Sequence, residues 1–263
     1  MRRILVALLG IVGFAAAARA ADAVRLDYDL YAAGLNAARV RVGAGLQPDR
    51  YLINIGYRTT GIVGFFFSGH QLTTVRGNWM NNRPEPVSFL SQGAARGEER
   101  LTHMDYDRGL PVLRRLTPPN EVEREPVPTA LQANTIDTLS ALAGLMRSVA
   151  ATGRCEGEVR TYDGRRAAII RIATIGEEVL PKTARSSFSG SAMRCDFVSQ
   201  MVGGFYHGDT IRKPLTGSLW LAAAIPGAPN IPVRMTFETR WIGDAMLYLT
   251  DARASAEPGI GVY

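Results

Sequence analysis

From Arg25 to Tyr31 the chain sets Leu26, Tyr28 and Leu30 against Asp27 and Asp29, the period-two pattern of a strand with one face buried. After Ala33-Gly34 the alternation resumes with Ala38, Val40 and Val42, which predicts a first antiparallel pair. Arg50 to Thr60 alternates again, with Tyr51, Ile53, Ile55 and Tyr57 on one face. Gln71 to Met80, Pro86 to Gln92, Glu98 to Tyr106 and Pro111 to Leu116 read as further short strands, punctuated by Asn81-Asn82, Gly93 and Arg108-Gly109.

A different period governs Asp137 to Ala150. Leu139, Leu142, Leu145, Met146 and Val149 recur at helical spacing, Thr135 or Asp137 can cap the start, and Gly153 can end the element. Beyond it the strand pattern returns. Cys155 to Asp163 reads as a strand segment, and within it Val159 to Tyr162, with Arg166 to Thr174, flanks an Asp163-Gly164 pair, a strong hairpin signal. Ala192 to Met201 follows, and Val233 to Trp241 and Ala245 to Ala252 enclose Gly243-Asp244 as a closing hairpin. About a dozen short strands at this spacing predict a mainly β fold: one antiparallel sheet curled into a barrel-like or spiral form, with one prominent helix. The Pro-rich, charge-dense stretch from Leu116 to Pro128 is expected to be an exposed connection between the halves of a single domain over 21–263.

The N-terminus changes the picture of compartment and charge. Arg2 and Arg3 precede an apolar run from Ile4 to Ala17, and Ala18-Arg19-Ala20 has the small-x-small pattern of a cleavage site. Residues 1–20 are therefore expected to be a signal peptide cleaved after Ala20, sending the chain to the periplasm. The run is shorter than the roughly 18 to 20 residues that span a bilayer, so no transmembrane segment is expected after cleavage. Removing Arg2, Arg3 and Arg19 takes three positive charges from a formal net +6, leaving +3. The remaining arginines are scattered rather than clustered and read mostly as solvated strand faces, with anionic lipid headgroups as the alternative contact. Nucleic acid is not an expected partner.

Cys155 and Cys195 are the two cysteines of the chain, and in an exported protein they read as one structural disulfide. Catalytic chemistry is hard to find. His70, His103 and His207 occur singly, without ligand spacing, and nucleophile motifs are absent. No metal, cofactor or enzymatic activity is expected. The apolar segment Gly61 to Gly69 invites two readings: a buried strand corner, or an apolar lip in which Ile62, Val63, Phe65, Phe66 and Phe67 meet lipid or a partner.

Taken in order, Tyr28-Asp29-Leu30-Tyr31, Ala33-Gly34-Leu35, Ala38-Arg39, Tyr57-Arg58-Thr59-Thr60-Gly61, Asp137-Thr138-Leu139-Ser140-Ala141, Tyr162-Asp163-Gly164-Arg165-Arg166 and Ile231-Pro232-Val233-Arg234 resemble the domain of unknown function 3108 (DUF3108) family of exported bacterial proteins. The resemblance implies a β-rich envelope domain and carries over no catalytic residue. The resulting expectation is a non-enzymatic periplasmic protein that supports cell-envelope integrity through protein or lipid contacts. The alternatives are an acyl-chain carrier with an apolar cavity and an envelope hydrolase built from residues brought together by folding.

Overall fold

The computed structural model describes residues 23–209, 212–239 and 243–260, so the expected leader over 1–20 lies outside the described residues. The first half is a meander of β1 (Ala23–Ala32), β2 (Leu35–Leu46), β3 (Arg50–Thr59), β4 (Gly69–Met80), β5 (Arg83–Ala95), β6 (Glu98–Asp107) and β7 (Leu110–Thr117), with a short helix α1 (Gly61–Phe66) between β3 and β4. Helices α2 (Asn120–Glu123), α3 (Thr129–Gln132) and α4 (Thr138–Thr152) follow. The second meander is β8 (Gly157–Tyr162), β9 (Ala167–Leu180), β10 (Gly190–Gly203), β11 (Leu215–Ala222), β12 (Ile231–Thr239) and β13 (Gly243–Ser255).

All of these strands join one antiparallel sheet in the order β7-β6-β5-β4-β3-β2-β1-β13-β12-β11-β10-β9-β8. The first strand thus sits at its centre. Leu26 stands opposite Val42 and Ala252, and Tyr28 opposite Val40 and Leu249, so the alternation read from the sequence becomes one continuous buried row. Register shifts leave one extra residue in β13 (Thr250), β9 (Ile175), β10 (Val202) and β12 (Val233), bulges that bend strands and let so long a sheet curl.

The outer strands β7 and β8 do not pair, and the barrel is nearly closed by side chains instead. At the β8–β9 turn the Arg165 guanidinium donates to the carbonyls of Thr117 at 2.5 Å, Pro118 at 3.0 Å and Leu101 at 3.3 Å. Asn120 Nδ2 returns a bond to the Arg165 carbonyl at 3.2 Å. Gly164, at φ +85°, lies so close to β6 that an added Cβ would stand 2.4 Å from Thr102 Cγ2. Carbonyls left bare by an unpaired edge are satisfied here by one fork-shaped donor.

Helix α4 fills one end of the barrel. Its Asp137 cap accepts from Ser140 N at 2.8 Å, and Gly153 ends it in the left-handed conformation, both as the sequence predicts. Ala143, Met146 and Val149 join Tyr51, Ile53, Val75, Phe89 and Met104 in the buried core. Cys155 and Cys195 are bonded, with Cα atoms 6.1 Å apart and no exposure. Cys155 precedes β8 and Cys195 lies in β10, so the bond passes over β9, whose Thr174 both pairs with Cys195 and accepts from the Cys155 amide at 2.9 Å.

Three expectations change. Gly61 to Phe66 is a helix rather than a buried strand corner. The 116–128 connection is not simply exposed: Asn120, Arg124 and Val127 are buried. β11 was not anticipated, because its last five residues are all buried and show no alternation. The predicted strand end at Trp241 lies outside the described residues.

Candidate functional site

The inward face of the first meander changes character row by row. Ile53, Val75, Phe89 and Met104 form an apolar row beside α4. The next row is Ile55, Thr73, Ser91 and Thr102, and the one after it Tyr57, Gln71, Gly93 and Arg100. Hydrogen bonds bind the last two rows into a polar wall. Tyr57 Oη donates to Gln71 Oε1 at 3.3 Å, Gln71 Nε2 donates to Ser91 Oγ, and the hydroxyls of Thr73 and Ser91 meet at 2.8 Å. One half of the lumen is therefore a packed core and the other half is open and polar.

Facing this wall are the 120–125 segment, the loop after β10 and the β8–β9 turn. Arg124 forms an antiparallel bridge with Tyr206, and Glu125 N donates to Phe205 O at 2.8 Å. The Arg124 guanidinium lies 3.5 Å over the Tyr206 ring and donates to Gly204 O at 2.8 Å. Arg100 reaches across from β6 to Glu123 with two bonds, at 2.5 and 2.6 Å. Arg166 grips Asp163 at 2.6 and 2.9 Å, and Asp163 also accepts the amides of Arg165 and Arg166.

Two cavities meet at these residues. One, of about 820 Å³, is lined by the polar wall together with Arg96, Arg100, Arg165 and Glu123. The other, of about 1070 Å³, opens toward His207, Arg212, Lys213 and Glu238. Arg124, Asp163, Arg166 and Tyr206 line both. Burial acts on Arg124 first and lowers its pKa, and nearby Arg166 adds to the effect. Arg165 is lowered in the same way, by burial and then by Arg100. For Asp163 burial pulls upward, but the charge and hydrogen bonds of Arg166 outweigh it and hold the carboxyl below its usual range.

At the same end of the barrel α1 forms the apolar lip. Phe65 is 83% exposed, Phe66 66%, Ile62 59% and Phe67 54%, while Val63 is half-buried. The backbone holds the helix down: Thr60 N donates to Ala37 O at 3.0 Å, and Thr60 Oγ1 to Asn36 Oδ1 at 2.6 Å. A side chain at Gly64 would stand 3.1 Å from the Thr59 backbone. With its inner side pressed on β2 and the end of β3, the helix turns its rings outward. Phe65 and Phe66 pack edge to face at 5.1 Å, Arg96 lies 5.3 Å over Phe67, and exposed Leu35 adjoins Asn36. Of the four arginines between Asp49 and Glu85, Arg58 lies at the α1 end of its strand, opposite His70, while Arg50, Arg76 and Arg83 lie toward the other end of the sheet.

The histidines stay apart: His70 is on β4, His103 on β6, and His207 follows β10, with its Nε2 3.1 Å from the Glu121 carbonyl. Among the described residues no group of three or more His, Cys, Asp or Glu could hold a metal ion, and no helix is long and apolar enough to cross a membrane. The arginines correct the sequence reading most. Arg124 is buried, Arg100 and Arg165 are partly buried, and the half-exposed Arg166 stands at the rim, so these arginines line a lumen rather than a plain strand face. They come from segments up to 66 positions apart, so no local pattern announces the cluster. The nearest signal is Asp163-Gly164-Arg165-Arg166, where a turn carboxylate precedes two cations.

No curated protein matches the chain. A crystal structure of a β-barrel-like protein of the domain of unknown function DUF1849 from Brucella abortus is similar to it, with a TM-score of 0.53 and 12% identity over 90% of this chain and 99% of that one. At that identity the likeness shows the fold alone: a barrel-like sheet. The family model described as "Protein of unknown function (DUF3108)" matches residues 27–250, nearly the whole barrel with its lip and lumen, and the chain belongs to that family.

Proposed function

We propose that this chain is an exported, non-catalytic protein of the cell envelope that rests on an anionic membrane surface through α1 and supports envelope integrity from there. One observation carries the reading: Ile62, Phe65, Phe66 and Phe67 are exposed together on and just after α1, with the Arg96 guanidinium stacked over Phe67. Exposed apolar clusters of this kind mark interaction sites. Each large side chain taken fully out of water contributes about 1.5–3 kcal/mol, and the cations at this end, Arg58 and Arg96, favour anionic headgroups over a neutral surface. The acyl-carrier reading has less support, since α4 fills the apolar half of the lumen and the open half is lined by charges.

Vesicle flotation tests the proposal. The mature chain is expected to float with vesicles containing a third phosphatidylglycerol and much less with pure phosphatidylcholine. The Phe65→Ser/Phe66→Ser double variant, checked for native circular dichroism, is expected to stay at the bottom of the gradient. A folded double variant that floats as well as the parent would overturn the reading, as would equal binding to both lipids.

A further inference from the structure

The charges of the smaller cavity do not balance pairwise. Its lining holds Arg96, Arg100, Arg124, Arg165 and Arg166 against Glu98, Glu123 and Asp163; both glutamates are taken by Arg100, and Asp163 by Arg166. Arg124 and Arg165 make no ion pair with a carboxylate among the described residues. Arg124 is 7% exposed and held by one carbonyl and the Tyr206 ring, whereas Arg165 spends its donors on three carbonyls. The buried Nε of Arg100 has no partner among the described residues. A guanidinium taken out of water without a counter-ion is costly, and carbonyl dipoles and a π face offset only part of that cost.

We infer that the cavity lined by Arg124, Arg165 and Arg166 binds a phosphate or carboxylate group, carried by a free polar compound or by a lipid headgroup. An oxyanion there supplies the negative charge that Arg124 and Arg165 lack. Planar guanidinium forks suit such groups better than point charges do. The opposite wall of Tyr57, Gln71, Ser91 and Thr102 offers hydroxyl and amide groups, so the part of the ligand inside the cavity is polar and any acyl chain would lie outside it. About 820 Å³ is ample for it and falls within the usual range for ligand sites. The lowered pKa values of Arg124 and Arg165, set by burial first and neighbouring arginines second, agree with this, because a bound anion would favour their charged forms.

The test is calorimetric titration of the oxidised full chain with inorganic phosphate and, separately, with dihexanoyl phosphatidate, both at constant ionic strength. Saturable binding of phosphate, absent for chloride, is expected. Tighter binding of phosphatidate that competes with phosphate would assign the site to a lipid headgroup, and the reverse order to a free phosphate compound. Arg124→Met, folded by circular dichroism, is expected to weaken binding at least tenfold. Asp163→Asn keeps Oδ1 as acceptor for the turn amides but frees Arg166, and is expected to tighten binding at least threefold. No preference for phosphate over chloride overturns the inference. So does an unchanged affinity in Asp163→Asn, which decides alone if Arg124→Met fails to fold.

Discussion

Arg100 and Glu123 meet through two parallel hydrogen bonds, Nη1 to Oε2 at 2.5 Å and Nη2 to Oε1 at 2.6 Å, with about a quarter of each side chain exposed. The pair ties β6 to the segment that leaves β7, and so braces the side of the barrel that backbone pairing leaves open. The hydrogen bonds from Arg100 lower the Glu123 pKa more than burial raises it. Since the folded value lies below the unfolded one, the contribution is present above the ordinary glutamate range and is lost as pH falls through the lowered value. Glu123→Gln is expected to cost about 1–2 kcal/mol at pH 7, the scale of a partly exposed charge-assisted pair. Urea unfolding at pH 7 and pH 3 checks this: the difference between variant and parent should shrink at the lower pH.

The same pair shows where legibility in the sequence ends. Strands with one wet face announce themselves, because burial alternates with the pleat; β1 and β3 are examples. Helix α4 was legible down to Asp137 and Gly153, since caps are local chemistry. β11 and α1 were not. A run buried on both faces has no period, and an uninterrupted apolar run such as Ile62 to Phe67 does not say whether its surroundings are core or solvent. The lumen was the least legible part. Whether Arg124 faces water or a cavity depends on Tyr206, Gly204 and Arg166, distant partners that only the closed sheet brings near.

The Cys155–Cys195 bond closes a loop over a sequence separation of 40, which in the chain-entropy model is worth about 4 kcal/mol. Its position adds a spatial prediction. β8 is an outer strand whose strand neighbour among the described residues is β9, with only Ile136 bridging Thr161 on its other edge, and the bond holds its lead-in to β10 across β9. The Cys155→Ala/Cys195→Ala double variant is expected to lose about 2–4 kcal/mol in urea unfolding. Hydrogen exchange should rise first at the amides of β8 and at the Cys155 amide bonded to Thr174. Uniform loss of protection across the sheet would mean that the bond stabilises the whole barrel and does not act locally.

Asp137 caps α4 from a fully buried position, accepting from Ser140 N at 2.8 Å and Ser140 Oγ at 2.5 Å, while Tyr51 Oη donates to Ser140 Oγ at 2.8 Å. The cap is therefore also the junction of helix and sheet. Burial raises the Asp137 pKa against the opposing hydrogen bonds of Ser140. A folded value above the unfolded one means a contribution present below the ordinary aspartate range and lost as pH rises through the raised value, opposite in sign to Glu123. Asp137→Asn keeps an oxygen for the Ser140 amide and removes the titration. Its stability relative to the parent is expected to increase as pH rises from 4 to 7. Asp137→Ala removes the cap and leaves the Ser140 hydroxyl without its acceptor, at a cost of about 2–3 kcal/mol. Paired urea titrations of the three proteins across that pH range provide the check. A difference between Asp137→Asn and the parent that does not change with pH would show that the buried carboxyl is not titrating with folding.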